Sequence, residues 1–435
     1  MARKKNNKKE EVAQLPEPDI RKKKHRVMDK KDALILLVIV LFSLALRVYG
    51  LSFPKDMNFD EVHYVPAARS YLDPTEIDPN YIHPPLAKEI MAVFMAIYGD
   101  NPIGWRMGSV FLGTIMIIFM YLFGIEMFKS RFAAIVCSVL LSVEFLHIVQ
   151  SRIATLDIYL AFFILIGYFY AWMYIDKTKN DPVTGIKIRQ LKYLVYCAIF
   201  FGGAIAVKLN GLAGAGGAFL FIAIALTREQ GKIPFKQLVK IFFIALAVIS
   251  GVYFITHIPF LLKDGDPAKM FYIRTFQFHY NEEFTHPYLS QMWQWPTVHR
   301  PIWYLWDKNK ETGIIRGVVA IGNLLFWWSF IPILLDMIYR AFKEKDLKVI
   351  FILCGYLPLY LFWLSSLSSY GGGWHLKGGF FYYMLPCVPF MAMGVAETLE
   401  ELRDSKIGRI SIAVYFAGLA IFLVAFYPIL AGIPI

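Results

Sequence analysis

Apolar runs of about 20 residues recur along this chain, and that recurrence narrows the possible folds more than any motif does. Lipid offers a backbone no hydrogen-bonding partner, so a run of this length crosses a bilayer as a helix, which satisfies its own amides. A transmembrane β-barrel would show alternating segments of roughly 10 residues instead. A large soluble core is a poor account as well. The chain is 57% hydrophobic and only 18% charged, where a soluble domain carries about 25% charged residues. The expectation is an all-α polytopic membrane protein with about 11 transmembrane helices. They fall near 33–51, 105–128, 131–148, 156–175, 193–209, 211–227, 241–258, 317–339, 348–364, 380–396 and 410–432.

Charge then orients the spans. The net charge of +12 would suggest a nucleic-acid partner in a soluble protein. Here the basic residues lie between spans, so topology explains them and nucleic acid is not expected. The tail 1–32 holds twelve Lys or Arg and six acids, including Arg21-Lys22-Lys23-Lys24-His25-Arg26. It reads as a cytoplasmic topogenic segment, with the first apolar run as an uncleaved signal anchor. Segments 129–131, 176–192, 228–240 and 340–348 are basic and fall inside, while 52–101 carries eight acids and three basic residues and falls outside. The resulting division is a tail (1–32), an N-terminal transmembrane module (33–258) with a first outer loop (52–104), a large outer loop (259–316) and a C-terminal transmembrane module (317–435). The localisation expected is the cell membrane, with the polar chemistry on its outer side. Cys137, Cys197, Cys354 and Cys387 all lie in apolar runs, as small core hydrophobes do.

With the spans apolar, chemistry must come from the loops. The first outer loop contains Asn58-Phe59-Asp60-Glu61-Val62-His63-Tyr64. Residues 59–72 and 84–98 there read as short amphipathic helices. Neighbouring helical residues point about 100° apart, so Asp60 and Glu61 do different jobs: one faces a cavity, the other orients a neighbour. A carboxylate at a low-dielectric interface has a raised pKa, which suits a general base. Acids in a first helical turn also complement the helix dipole. Four further motifs sit at predicted outer ends. His83-Pro84-Pro85-Leu86-Ala87-Lys88 puts a cation near a headgroup, where Lys88 either meets phosphate or snorkels. Gly104-Trp105-Arg106 offers a guanidinium fork suited to phosphate, or an interfacial anchor. Arg152 and Asp157 flank a tight turn and can pair with each other, while Lys208-Leu209-Asn210-Gly211 adds a cation and an amide. Charges at such positions are costly and are functional candidates by default. The densest motif runs from His286 through Trp295 to Arg300, with aromatic faces suited to sugar rings and lipid chains. Ser368-Ser369-Tyr370-Gly371-Gly372-Gly373-Trp374-His375 marks a third outer loop.

In their order, these motifs resemble the protein O-mannosyltransferases of the GT-C superfamily of membrane glycosyltransferases. The resemblance runs from about Arg47 to the end and implies a GT-C fold. It implies transfer of mannose from a polyprenyl phosphate carrier, dolichyl in eukaryotes and archaea, to Ser or Thr hydroxyls of proteins. By that resemblance Asp60 is the base and Glu61 supports it, and the transfer is inverting, so no second nucleophilic carboxylate is needed. Arg47 and Arg106 also match family positions important for activity. A phosphate subsite drawn from Arg106, Lys208 and Arg300 is expected, with no cofactor. A divalent metal on Asp60-Glu61 has only adjacent acids in its favour. Two departures stand out. Segment 259–316 is too short for the folded domain of eukaryotic members, and Leu209 replaces the family's usual Trp. Transfer to a lipid or glycan acceptor is the alternative. A transporter would instead place charges at mid-membrane on broken helices.

Overall fold

The structure, a computed structural model, describes residues 28–180, 187–264, 286–368, 375–376 and 379–435. The basic run 21–26 and the Gly371-Gly372-Gly373 run lie outside the described residues. So do residues 265–285 of the large loop.

Fourteen helices account for most of the described chain. They are α1 (Lys30–Val48), α2 (Glu61–Ser70), α3 (Leu86–Tyr98), α4 (Pro102–Phe128), α5 (Arg131–Val143), α6 (Phe145–Gln150), α7 (Asp157–Asp176), α8 (Leu191–Val207), α9 (Gly211–Gln230), α10 (Phe235–Asp264), α11 (Leu324–Lys343), α12 (Leu347–Leu361), α13 (Val388–Leu402) and α14 (Lys406–Ala431). Seven of them, α4, α7, α9, α10, α11, α12 and α14, are long and apolar enough to cross a membrane, α12 with its 3₁₀ extension to Leu364. Each of the eleven expected spans has a helix at its position, and α2 and α3 occupy the two amphipathic stretches of the first loop.

Three expectations need correction. The span 131–148 is broken at Glu144, whose backbone is extended (φ −74°, ψ 127°). The Glu144 carboxylate stabilises the break by accepting from the backbone of His147 (2.7 Å) and the indole of Trp327 (2.9 Å). The span placed at 317–339 begins later, because residues 315–320 are a strand and Asn323 caps α11. The span placed at 380–396 opens as a 3₁₀ turn, Phe381–Cys387, before α13.

The core is shared by both ends of the sequence. α7 packs on α8, α4 and α9, while α13 packs on α5 and α12 on α9. α10 and α14 keep apolar side chains such as Phe243, Ile255, Val414 and Val424 exposed, as lipid-facing helices do. The large loop carries an antiparallel hairpin that helical periodicity does not predict. Its strands are β1 (Ile302–Lys308) and β2 (Ile315–Ala320). Trp303 pairs with Val319 and Leu305 with Val318, so Tyr304 is the extra residue of a β-bulge. A bulge re-aims one side chain, and here Tyr304 turns towards Phe59.

Candidate functional site

The site is built where several helix ends meet at one end of the bundle. Phe59 has φ 52°, a left-handed conformation uncommon in a bulky residue and often found at functional sites. That turn delivers Asp60 to the cap position of α2. An Asp there ordinarily spends its carboxylate on the helix's first amides. Asp60 makes no such bond, and its side chain is directed elsewhere.

Glu61 turns inward and is wholly buried. Its Oε1 and Oε2 accept from Arg106 Nε (2.7 Å) and Nη2 (2.8 Å). The same carboxylate accepts from the backbone amides of Asn58 (3.0 Å) and Ala154 (3.0 Å). Arg106 spends its other donors on the carbonyls of Leu51 (3.0 Å) and Pro54 (2.9 Å). This corrects the expectation that Arg106 meets phosphate. At 1% exposure and with these donors engaged, it is a strut that fixes the first loop to α4 through Glu61.

Asp157 and Lys208 form the second buried pair. Lys208 Nζ donates to both carboxylate oxygens of Asp157, at 2.9 and 3.0 Å. Among the described residues Arg152 and Asp157, which could have paired, do not. Arg152 instead donates to the carbonyls of Leu46 (3.1 Å), Arg47 (2.8 Å) and Ala431 (3.3 Å). Lys208 is placed by a turn so tight that a Cβ on Gly211 would lie 2.7 Å from the carbonyl carbon of Ala204. Only glycine fits there. Lys208 also lies over the rings of Tyr383 (5.1 Å) and Tyr382 (5.9 Å).

Asp60 is half-buried beside this pair, and Tyr382 donates to its Oδ2 at 3.2 Å. Burial raises the Asp60 carboxyl from its ordinary value to about 6; Asp157 adds to the rise, while Lys208, Tyr382 and His63 oppose it. Aromatic rings enclose the group. Phe59 stacks on Tyr304 (4.3 Å), and Phe380 and Tyr382 meet Phe59 edge-on. His286 joins this wall through Phe380 (5.2 Å) and Trp295 through Tyr383 (6.3 Å). The Trp295 indole donates to Ser290 (2.9 Å).

The other sequence candidates lie behind this cluster or at its edge. Arg47 is buried behind the site, bonded to Ser43, the Ser142 carbonyl and His147. Lys88 neither snorkels nor faces a headgroup. It is fully buried and paired with Asp78, and it ties down the carbonyls of Asn80 and His83. Burial lowers its pKa, opposed by Asp78. The His83 ring lies 6.1 Å from that of Tyr64. Arg300 is exposed and donates to the Pro287 carbonyl. Asn210 caps α9 without a side-chain bond, and its Oδ1 is buried with no partner among the described residues. The residues that sequence reasoning passed over are Tyr304, Phe380, Tyr382 and Tyr383. The run Phe380-Phe381-Tyr382-Tyr383, just after a glycine-rich segment, was the available signal.

The packing has close counterparts. The chain superposes on the yeast protein O-mannosyltransferase Pmt1–Pmt2 complex bound to its sugar donor with a TM-score of 0.76, covering 94% of this chain and 91% of that one at 16% identity. It superposes on apo ArnT from Cupriavidus metallidurans with a TM-score of 0.59 at 15% identity, covering 89% of this chain but spanning only 64% of that longer one. The chain shares the fold of both proteins. Residues 94–263 match the family model "Dolichyl-phosphate-mannose-protein mannosyltransferase". The polyprenol-phosphate-mannose–protein mannosyltransferase of Mycobacterium tuberculosis is 24% identical over 87% of this chain and 83% of its own length. Over most of its length the chain is similar to the protein O-mannosyltransferases.

Proposed function

We propose that this protein transfers mannose from a polyprenyl phosphate to Ser or Thr hydroxyls of proteins, with inversion at the anomeric carbon. One observation carries the chemical assignment. Of the two adjacent acids, Glu61 is consumed by Arg106 and two backbone amides, while Asp60 stays half-buried with a pKa of about 6 beside Lys208. A base poised near neutrality is what hydroxyl deprotonation requires.

Asp60 takes the acceptor hydroxyl proton as the oxygen attacks the anomeric carbon. The bond from that carbon to the phosphate oxygen breaks, and the polyprenyl phosphate leaves with the electron pair. Lys208, held by Asp157, is the cation placed to stabilise the leaving charge. His286 and the rings of Phe59, Tyr304 and Phe380 offer flat apolar surface to the sugar and the first lipid units. Arg300, at the edge, is a second phosphate contact in this reading.

The test is a transfer assay with purified protein, labelled polyprenyl-phosphate mannose and a Ser/Thr peptide. Labelled peptide with the α/β configuration inverted is expected. Label appearing only in a lipid or glycan acceptor would overturn the protein-acceptor reading. In the cell membrane, the basic ends of α4, α7 and α11 face the cytoplasm under the positive-inside rule, which puts the site outside. A cysteine at Thr297 then reacts with an impermeant thiol reagent in intact cells, and one at Lys232 does not. The opposite labelling pattern inverts the topology.

A further inference from the structure

Asp60 Oδ2 is held by one hydroxyl that reaches it from 322 residues away in sequence. We infer that Tyr382 is the positioning residue for the base: its hydroxyl fixes Oδ2 of Asp60 and so aims Oδ1 at the acceptor hydroxyl. This rests on Asp60 being the base, as proposed above.

Three observations carry it. First, Asp60 caps α2 in position but not in bonding, so its own helix does not fix its rotamer. Second, Tyr382 is rigid. It is 4% exposed, its ring lies parallel to Phe380 at 5.4 Å, and it meets Phe59 edge-on at 5.9 Å. Third, among the described residues Asp60 Oδ1 has no hydrogen bond, so one oxygen is anchored and the other is left for substrate. The groups around Asp60 come from every neighbouring element: Lys208 at the end of α8, Asp157 at the start of α7, His63 on α2, Tyr304 on β1, and Tyr383 beside Tyr382. Tyr382 is the one that bonds the carboxylate directly. A hydrogen bond to the charged form stabilises that form, so its loss makes Asp60 harder to ionise.

The experiment is the pH dependence of kcat and of kcat/KM for Tyr382→Phe, which keeps the ring and its packing. The acid limb is expected to move up by about half a pH unit or more, with kcat down by about tenfold and donor KM unchanged. Replacing Tyr382 with 3-fluorotyrosine, a stronger donor of nearly the same shape, should move the limb down. Tyr168→Phe removes an equally buried hydroxyl that donates to the Cys354 carbonyl (2.7 Å) and should move neither limb. Asp60→Asn is run alongside. If it is inactive and the Tyr382→Phe profile superimposes on wild type, Tyr382 is packing only and the base assignment stands. If Asp60→Asn turns over normally, the base assignment fails and the role of Tyr382 fails with it.

Discussion

The two ends of the helix bundle treat charge in opposite ways. At the site end, Glu61 with Arg106 and Asp157 with Lys208 are near-complete burials, each side chain between 0% and 9% exposed. At the far end, Lys129 and Lys177 share Glu126 and Asp176, all between 17% and 26% exposed. There Arg340 gathers five acids, Asp336, Glu344, Asp346, Glu397 and Glu401. Glu397 is buried with Arg340, but the Lys129–Lys177 network is wet, and such a network with several partners tolerates the loss of any one of them and adds little to stability. A buried pair has no spare partner, and breaking it strands an ion in a low dielectric. The Lys129–Lys177 network therefore holds charge through several shared partners, while the site end sets geometry through individual atoms.

The largest expected effect is at Asp60. Asp60→Asn should lower transfer by about 10²–10⁴-fold in the peptide assay, with donor binding retained. The same variant should be more stable than wild type at neutral pH. The folded protein holds the carboxyl at about 6 against an ordinary 3.8, so the ionised form is disfavoured on folding. That penalty is full above pH 6, fades as pH falls through 6, and is gone below 3.8. Its size is on the order of 1–3 kcal/mol, read from thermal unfolding in detergent as a function of pH. A variant that loses both activity and stability would erase the distinction between a functional and a structural charge.

Next comes the strut. Arg106→Gln strands Glu61 and should cost about 3–5 kcal/mol in the same unfolding measurement. Unchanged stability with weakened donor binding would return Arg106 to the phosphate site. Lys208→Gln should weaken polyprenyl-phosphate mannose binding by about tenfold, in line with one charge-assisted bond, measured on folded, monodisperse protein. The smallest effect is at the far end. Lys129→Gln should change stability by less than about 1 kcal/mol and leave transfer untouched. A larger loss there would show that the far network depends on single partners just as the near one does.

How much of this the sequence disclosed follows from what each signal measures. Apolar length located α4, α7, α9 and α10 because lipid imposes one requirement on every span. Adjacency alone separated the directions of the Asp60 and Glu61 side chains, since neighbouring helical residues diverge. The partners of Arg106 and Lys208 lie 45 and 51 residues away, and no local spacing encodes such a contact. Arg152 and Asp157, five residues apart, suggested a pair that tertiary packing overrode. Lys88 suggested a surface cation because its buried partner, Asp78, lies across a loop. The hairpin was legible in principle. Ile302-Trp303-Tyr304-Leu305-Trp306 and Ile314-Ile315-Arg316-Gly317-Val318-Val319 are β-prone runs around a Gly-containing turn, a signal that apolar length, the measure of a membrane span, does not register.

The bulge at Tyr304 has a consequence for how this gene can change. Strand pairing has a period of two, so adding or removing one residue flips every later side chain to the opposite face. A one-residue deletion between Ile302 and Leu305 would remove the extra residue and regularise the ladder. Tyr304 would then leave its stack on Phe59 and its bond from Gln150 (2.6 Å). The exposed tip at 309–313 is free of that constraint and can grow or shrink without altering register. Length variation across descendants of this chain should therefore collect at the tip, with the strand before it frozen to the residue.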